Sequence, residues 1–127
     1  MAVPEAETRS KGGKLIALTF DDGPGPYTRR LLEGLAKRGV KATFFMLGQQ
    51  AENYDVTAGL VRDAGHQIAS HSVSHPYFPN MSAQEQRQEI ESSLSDIKKA
   101  SDVSTRTFRA PYGAFGVDEW KNNATLI

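Results

Sequence analysis

A chain of 127 residues with 15 basic and 15 acidic side chains is long enough for one domain with a modest core, and its balanced charge gives no electrostatic pull toward nucleic acid or an anionic membrane. The absence of cysteine excludes disulfides and thiolate metal sites. No apolar stretch nears the roughly 20 residues that span a bilayer; residues 1–13 hold no apolar signal core and read as a flexible leader to a domain at 14–127.

Residues 14–20, KLIALTF, bounded by glycines and by Gly23-Pro24, predict a buried strand. Residues 27–39 predict a helix with Leu31, Leu32, Leu35 and Ala36 on one stripe, Thr28 as N-cap and Gly39 as stop. Residues 40–47 are strand-like. Residues 55–65 read as a helix carrying Val56, Leu60, Val61 and Ala64, and 66–70 as a short strand beginning at a structural His66. Phe44, Phe45 and Ile68 are expected in the core. Residues 82–102 form the clearest helix: Ser82 and Glu85 make a capping box, and Ile90, Leu94 and Ile97 give a narrow apolar stripe beside a charged, solvated face. A fourth strand is expected at 105–111, then a helix in the tail with Trp120 as a packing residue.

Strict alternation of strand and helix implies an α/β fold with parallel strands. The C-terminal ends of such strands share one edge, where sites collect. That edge gathers Asp21 and Asp22 after the first strand, His71 and His75 after the third, and Arg109, Pro111 and Tyr112 at the end of the fourth.

These residue types suit a metal site. On a helical turn, the four-residue spacing of His71 and His75 would put both imidazoles on one face, and two imidazoles with one carboxylate make a catalytic zinc set whose fourth position is open to water. Asp22 is then the third ligand. Asp21 is left to take a proton from water as general base, and the cation screens the two neighbouring carboxylates from each other. Arg109 could hold and orient Asp21, and the main-chain N–H of Tyr112 could donate to a developing oxyanion; Pro111 and Tyr112 are expected on the substrate side. A plain turn in which Asp21 or Asp22 caps the next helix is the competing reading. So is a receiver-like domain binding Mg²⁺, although imidazoles do not suit that ion.

In that order TFDDGP (19–24), HSVSHP (71–76) and RAPYG (109–113) resemble the first three motifs of the NodB-type polysaccharide deacetylases, with KATFF and AGHQIASHS similar to the segments between them. The resemblance covers residues 14–116. It implies a distorted (β/α) barrel, here partial and without its C-terminal strands, and a divalent metal: Zn²⁺, with Co²⁺ or Ni²⁺ as alternatives. It gives the base role to Asp21, the metal roles to Asp22, His71 and His75, and the orienting and oxyanion roles to Arg109 and Tyr112. It implies removal of acetyl groups from an N-acetylglucosamine polymer (chitin or peptidoglycan) or from acetylated xylan, outside the cell or in its wall. Two further family motifs, one bearing a pocket Leu and the general-acid His, have no counterpart, since no histidine follows His75. The chain alone is therefore expected to be weakly active or inactive, the alternative being a non-catalytic metal- and carbohydrate-binding remnant. Its open sheet edge is expected to be covered by a second copy or a complementing chain.

Overall fold

The computed structural model describes residues 13–127, so the expected leader, but for Gly13, lies outside the described residues. Three short parallel strands, β1 (Thr19–Asp21), β2 (Thr43–Met46) and β3 (Gln67–Ser70), pair in chain order, with Thr19 opposite Thr43 and Thr43 opposite Gln67. Helix α1 (Thr28–Lys37) links β1 to β2. Helices α2 (Gly48–Asn53) and α3 (Asp55–Asp63) link β2 to β3. Helices α4 (Ala83–Ser101) and α5 (Val117–Asn123) follow, and 3₁₀ turns occupy Phe78–Asn80 and Pro111–Gly113. This is the parallel α/β arrangement that the alternation implies.

The period of two along a strand divides the side chains between the faces. Phe44 and Met46 of β2 and Ile68 of β3 meet Leu32 and Leu35 of α1, Ala58 and Val61 of α3 and Ile97 of α4 in one core. Phe45 is also buried, and the Arg109 guanidinium lies over its ring at 4.0 Å. A second cluster, Phe78, Phe108 and Phe115 with ring centroids 5.4–5.9 Å apart, ties the segments on either side of α4 to each other.

Several expectations are corrected. Residues 14–18 are not strand, and Leu15 and Ile16 stand exposed, because the β1–β2 ladder begins only at Thr19 and among the described residues nothing pairs with the other side of β1. Residues 105–111 make a single bridge, Ser70 to Phe108, instead of a strand. Thr28 is the first helical residue of α1 rather than its cap; its Oγ1 accepts the Gly25 N–H at 2.9 Å and tightens the turn before the helix. Ala36 is exposed. In α3 the buried residues are Thr57, Ala58 and Val61, while Val56 and Leu60 face solvent. Trp120 is half exposed rather than packed. Helix α4 has the predicted capping box: Glu85 N–H donates to Ser82 Oγ at 3.2 Å, and Ser82 N–H to Glu85 Oε2 at 2.8 Å. Among the described residues no helix is long and apolar enough to cross a membrane.

His66 is buried, and its Nδ1 accepts the Ala42 N–H at 3.0 Å, which fixes the start of β3 against β2. Burial, reinforced by Lys41, lowers its pKa below the ordinary 6.5. The unfolded chain therefore takes up this proton first. The stability contributed by neutral His66 is present above about pH 6.5 and is lost as pH falls toward the lower folded value. Thermal denaturation at about pH 7 and about pH 5 should show a fall in Tm, and a His66→Gln variant, with no proton to gain, a shallower one. An identical fall in both would remove His66 as the cause.

Candidate metal centre

The centre is assembled at the C-terminal ends of the strands. Past Asp21 the β1–β2 ladder continues for one bond, Asp22 N–H to Phe45 O at 3.2 Å, and Asp22 then adopts a left-handed φ of 73°. That is a conformation which Asp tolerates better than most L-residues. His71 is placed in the same way: its N–H donates to Met46 O at 2.8 Å, extending the β2–β3 ladder. Its ring is buried, with Nδ1 2.7 Å from the carbonyl oxygen of Arg109. That carbonyl can only accept, so Nδ1 carries a hydrogen and Nε2 is the ring atom turned toward Asp22.

His75 arrives on a loop, not on the helical turn anticipated from the spacing. Ser72 and His75 both have left-handed φ values, 75° and 64°. The His75 N–H donates to Ser72 Oγ at 3.1 Å, and the Ser72 N–H to Ser70 Oγ at 3.2 Å. Ser70 Oγ meets Ser93 Oγ of α4 at 2.6 Å, and the Ser93 hydroxyl reaches Ile90 O at 2.7 Å. A ladder of short hydroxyls thus joins α4 to the second histidine.

Asp22 Oδ1 lies 3.4 Å from His71 Nε2 and 3.5 Å from His75 Nε2. One donor atom from each of the three residues falls within 4.8 Å of the others. With Nδ1 engaged by the Arg109 carbonyl, Nε2 of His71 is the atom left to coordinate, and a cation seated between it and the Asp22 oxygen would be bound by both. One oxygen and two imidazole nitrogens, with room for a further ligand, fit a zinc-type ion.

Asp21 stands beside this group without joining it as closely, its Oδ2 3.8 Å from His71 Nε2. Arg109 Nη1 donates to Asp21 Oδ1 at 2.7 Å and to Thr19 Oγ1 at 3.0 Å. Arg109 itself is positioned by its own N–H on Ser70 O at 2.9 Å and by the Phe45 ring beneath its guanidinium. No side chain caps α1, so neither aspartate serves the capping role that competed for it. Tyr112, at φ 62°, leaves its ring largely exposed and edge-on to His75, centroids 4.7 Å apart. Pro111 is buried and opens the turn that carries Tyr112.

Two residues of the site's support are not apparent in the sequence. Gly48 opens α2 where a Cβ would lie 2.6 Å from Asp96 Oδ2 and 3.1 Å from the Ser93 backbone, so a larger residue would displace the Asp96 side chain and press α2 away from α4. Burial, with the nearby Glu52, raises the pKa of that Asp96 carboxyl. Glu89 accepts bonds from the histidine loop, although it belongs to the face of α4 that reads as solvated.

Residues 8–126 match the polysaccharide deacetylase family. The chain belongs to that family. It is 37% identical over 127 residues to the peptidoglycan-N-acetylmuramic acid deacetylase PdaC of Bacillus subtilis (strain 168), covering 99% of this chain and 27% of that protein. It is 40% identical over 116 residues to the peptidoglycan-N-acetylglucosamine deacetylase PgdA of Listeria monocytogenes, covering 88% of this chain and 24% of that one. Among solved structures it superposes on the family 4 carbohydrate esterase from Streptomyces lividans in complex with acetate with a TM-score of 0.84 and 32% identity, over 87% of this chain and 58% of that one. The chain therefore spans about a quarter of the two curated relatives and 58% of the solved structure, less than two thirds of each.

Proposed function

We propose that this chain carries the hydrolytic centre of a metal-dependent deacetylase of N-acetylated polysaccharide, peptidoglycan or chitin in type, acting in the cell wall or outside the cell. The observation that carries the reading is the single oxygen, Asp22 Oδ1, facing both imidazole Nε2 atoms while Arg109 holds the neighbouring Asp21 apart. Asp22, His71 and His75 would hold the ion. When bound, a divalent ion of the zinc type supplies Lewis acidity to this site.

The chain's own residues perform the proton transfer and the positioning. Asp21 accepts a proton from the attacking water as its oxygen bonds to the acetyl carbon, and that proton goes to the leaving amine nitrogen as the C–N bond breaks and acetate departs. Arg109 keeps the Asp21 carboxylate in one orientation by a charge-assisted bond, and Thr19 and the Phe45 ring keep Arg109 in place. The main-chain N–H of Tyr112 donates to the oxyanion that develops on the acetyl carbonyl. The rim beyond is open, and the exposed Tyr112 ring offers a flat apolar surface to a sugar. Residues 14–127 are read as the N-terminal part of a distorted (β/α) barrel, supported by the exposed Leu15 and Ile16 beside the side of β1 that pairs with nothing among the described residues, and by the share of the relatives that the chain spans.

The test is acetate release from a short N-acetylglucosamine oligomer. Slow release that stops with a chelator and returns with added Zn²⁺ is expected. Release indifferent to the chelator would defeat the reading.

A further inference from the structure

The loop between the two histidines is held from two sides. Its carbonyls are met by α2, where the N–H groups of Gly48 and Gln49 donate to Ser72 O at 2.9 Å and Val73 O at 3.3 Å. Its donors are met by α4. Glu89 Oε2 accepts the N–H groups of Val73 and Ser74 at 2.9 and 3.2 Å, and Oε1 accepts the Ser74 hydroxyl at 2.8 Å. Three bonds from two consecutive residues to one carboxylate leave that stretch little freedom.

The loop depends on such restraint. Ser72 and His75 keep left-handed backbones, which non-glycine residues hold only where the surroundings over-determine them. The two histidines differ in how they are secured. His71 has a ladder bond on its N–H and a second bond on Nδ1, neither involving Glu89. His75 is more exposed, and its N–H donates to the Ser72 hydroxyl oxygen within the same loop. Whatever Glu89 fixes therefore falls on His75.

We propose that Glu89 is a positioning residue for the metal: through the 73–74 backbone it sets the place of the His75 ring, and with it the site's affinity for a divalent ion. This rests on the reading of Asp22, His71 and His75 as ligands. A cavity of about 390 Å³ bordered by Val73, Pro76, Met81 and Glu89 lies beside the loop. Water entering there can solvate the Val73 and Ser74 N–H groups once the carboxylate is altered, so the geometry suffers more than the fold. Groups that only support a ligand typically change metal affinity by about 10–100-fold when removed.

The experiment is Zn²⁺ titration of the full chain, followed by chelator competition, together with NMR of the imidazole rings in the metal-free chain. Glu89→Gln keeps one acceptor oxygen of two and should weaken Zn²⁺ binding by about 10-fold or more. It should shift the His75 ring signals and leave those of His71 in place. In a His75→Ala background Glu89→Gln should cost nothing further, because its effect runs through the residue already removed. Ser74→Ala deletes one of the three bonds and should give a smaller loss with the same dependence on His75; it carries the test if Glu89→Gln fails to fold. Unchanged Zn²⁺ affinity in Glu89→Gln, or an equal loss with and without His75, would overturn the proposal, the latter assigning Glu89 a general charge or folding role. Zn²⁺ binding that survives His75→Ala intact would instead refute the ligand set itself, and this proposal with it.

Discussion

Asp21→Asn is expected to bind Zn²⁺ and release almost no acetate. The substitution leaves Asp22, His71 and His75 untouched, and an amide of the same size can still accept the Arg109 bond at Oδ1. What it lacks is basicity. Removing a positioned general base typically costs about 10²–10⁴ in rate, so acetate release should drop by that factor while Zn²⁺ affinity stays within about 10-fold, since Asp21 lies beyond the three donor atoms that cluster. Calorimetry and an acetate assay on one preparation separate the two effects. A variant that loses the metal along with the activity would make Asp21 a ligand, and one that stays active would move the base elsewhere.

His71→Ala should damage both the metal site and the fold, and His75→Ala only the first. His71 is buried, and its Nδ1–H is the bond made to the Arg109 carbonyl. Truncation leaves that part-buried acceptor without its donor, at about 1 kcal/mol, and removes a residue of the proposed ligand set at the same time. Zn²⁺ binding should weaken by more than the roughly 100-fold upper range for residues that merely support a ligand. Metal-free denaturation in the presence of chelator should show a lower Tm for His71→Ala and nearly the wild-type value for His75→Ala, whose ring is partly in solvent. Equal Tm values for the two variants would mean that the Arg109–His71 bond contributes nothing.

The site was legible in the sequence where chemistry is written in residue type. Two imidazoles, two adjacent carboxylates and an arginine after a terminal strand-like segment are rare neighbours, and parallel topology put them on one edge. The four-residue spacing of His71 and His75 suggests a helical turn, but the residues meet on a folded loop, because Ser72 and His75 turn left-handed. The apolar run at 14–18 suggests a longer strand, but such a run signals burial only if a partner lies alongside, and partners are tertiary facts. Helix α3 was misphased for a related reason. Its packed face uses Thr57, Ala58 and Val61, and hydropathy alone favours the bulkier Val56 and Leu60. Helix α2 went unseen behind Gly48, a residue that usually argues against a helix but here makes room for Asp96. Glu89 was hidden by its surroundings: one acceptor among several charges on α4 carries no mark of the loop that it holds.

Arg109 spans two jobs that are usually divided, since its guanidinium holds the Asp21 carboxylate and its carbonyl oxygen engages His71 Nδ1, which leaves Nε2 turned toward Asp22. Its segment joins the sheet through one isolated bridge. A drift of that segment would therefore move the Asp21 carboxylate and the His71 ring together, so neither can shift alone.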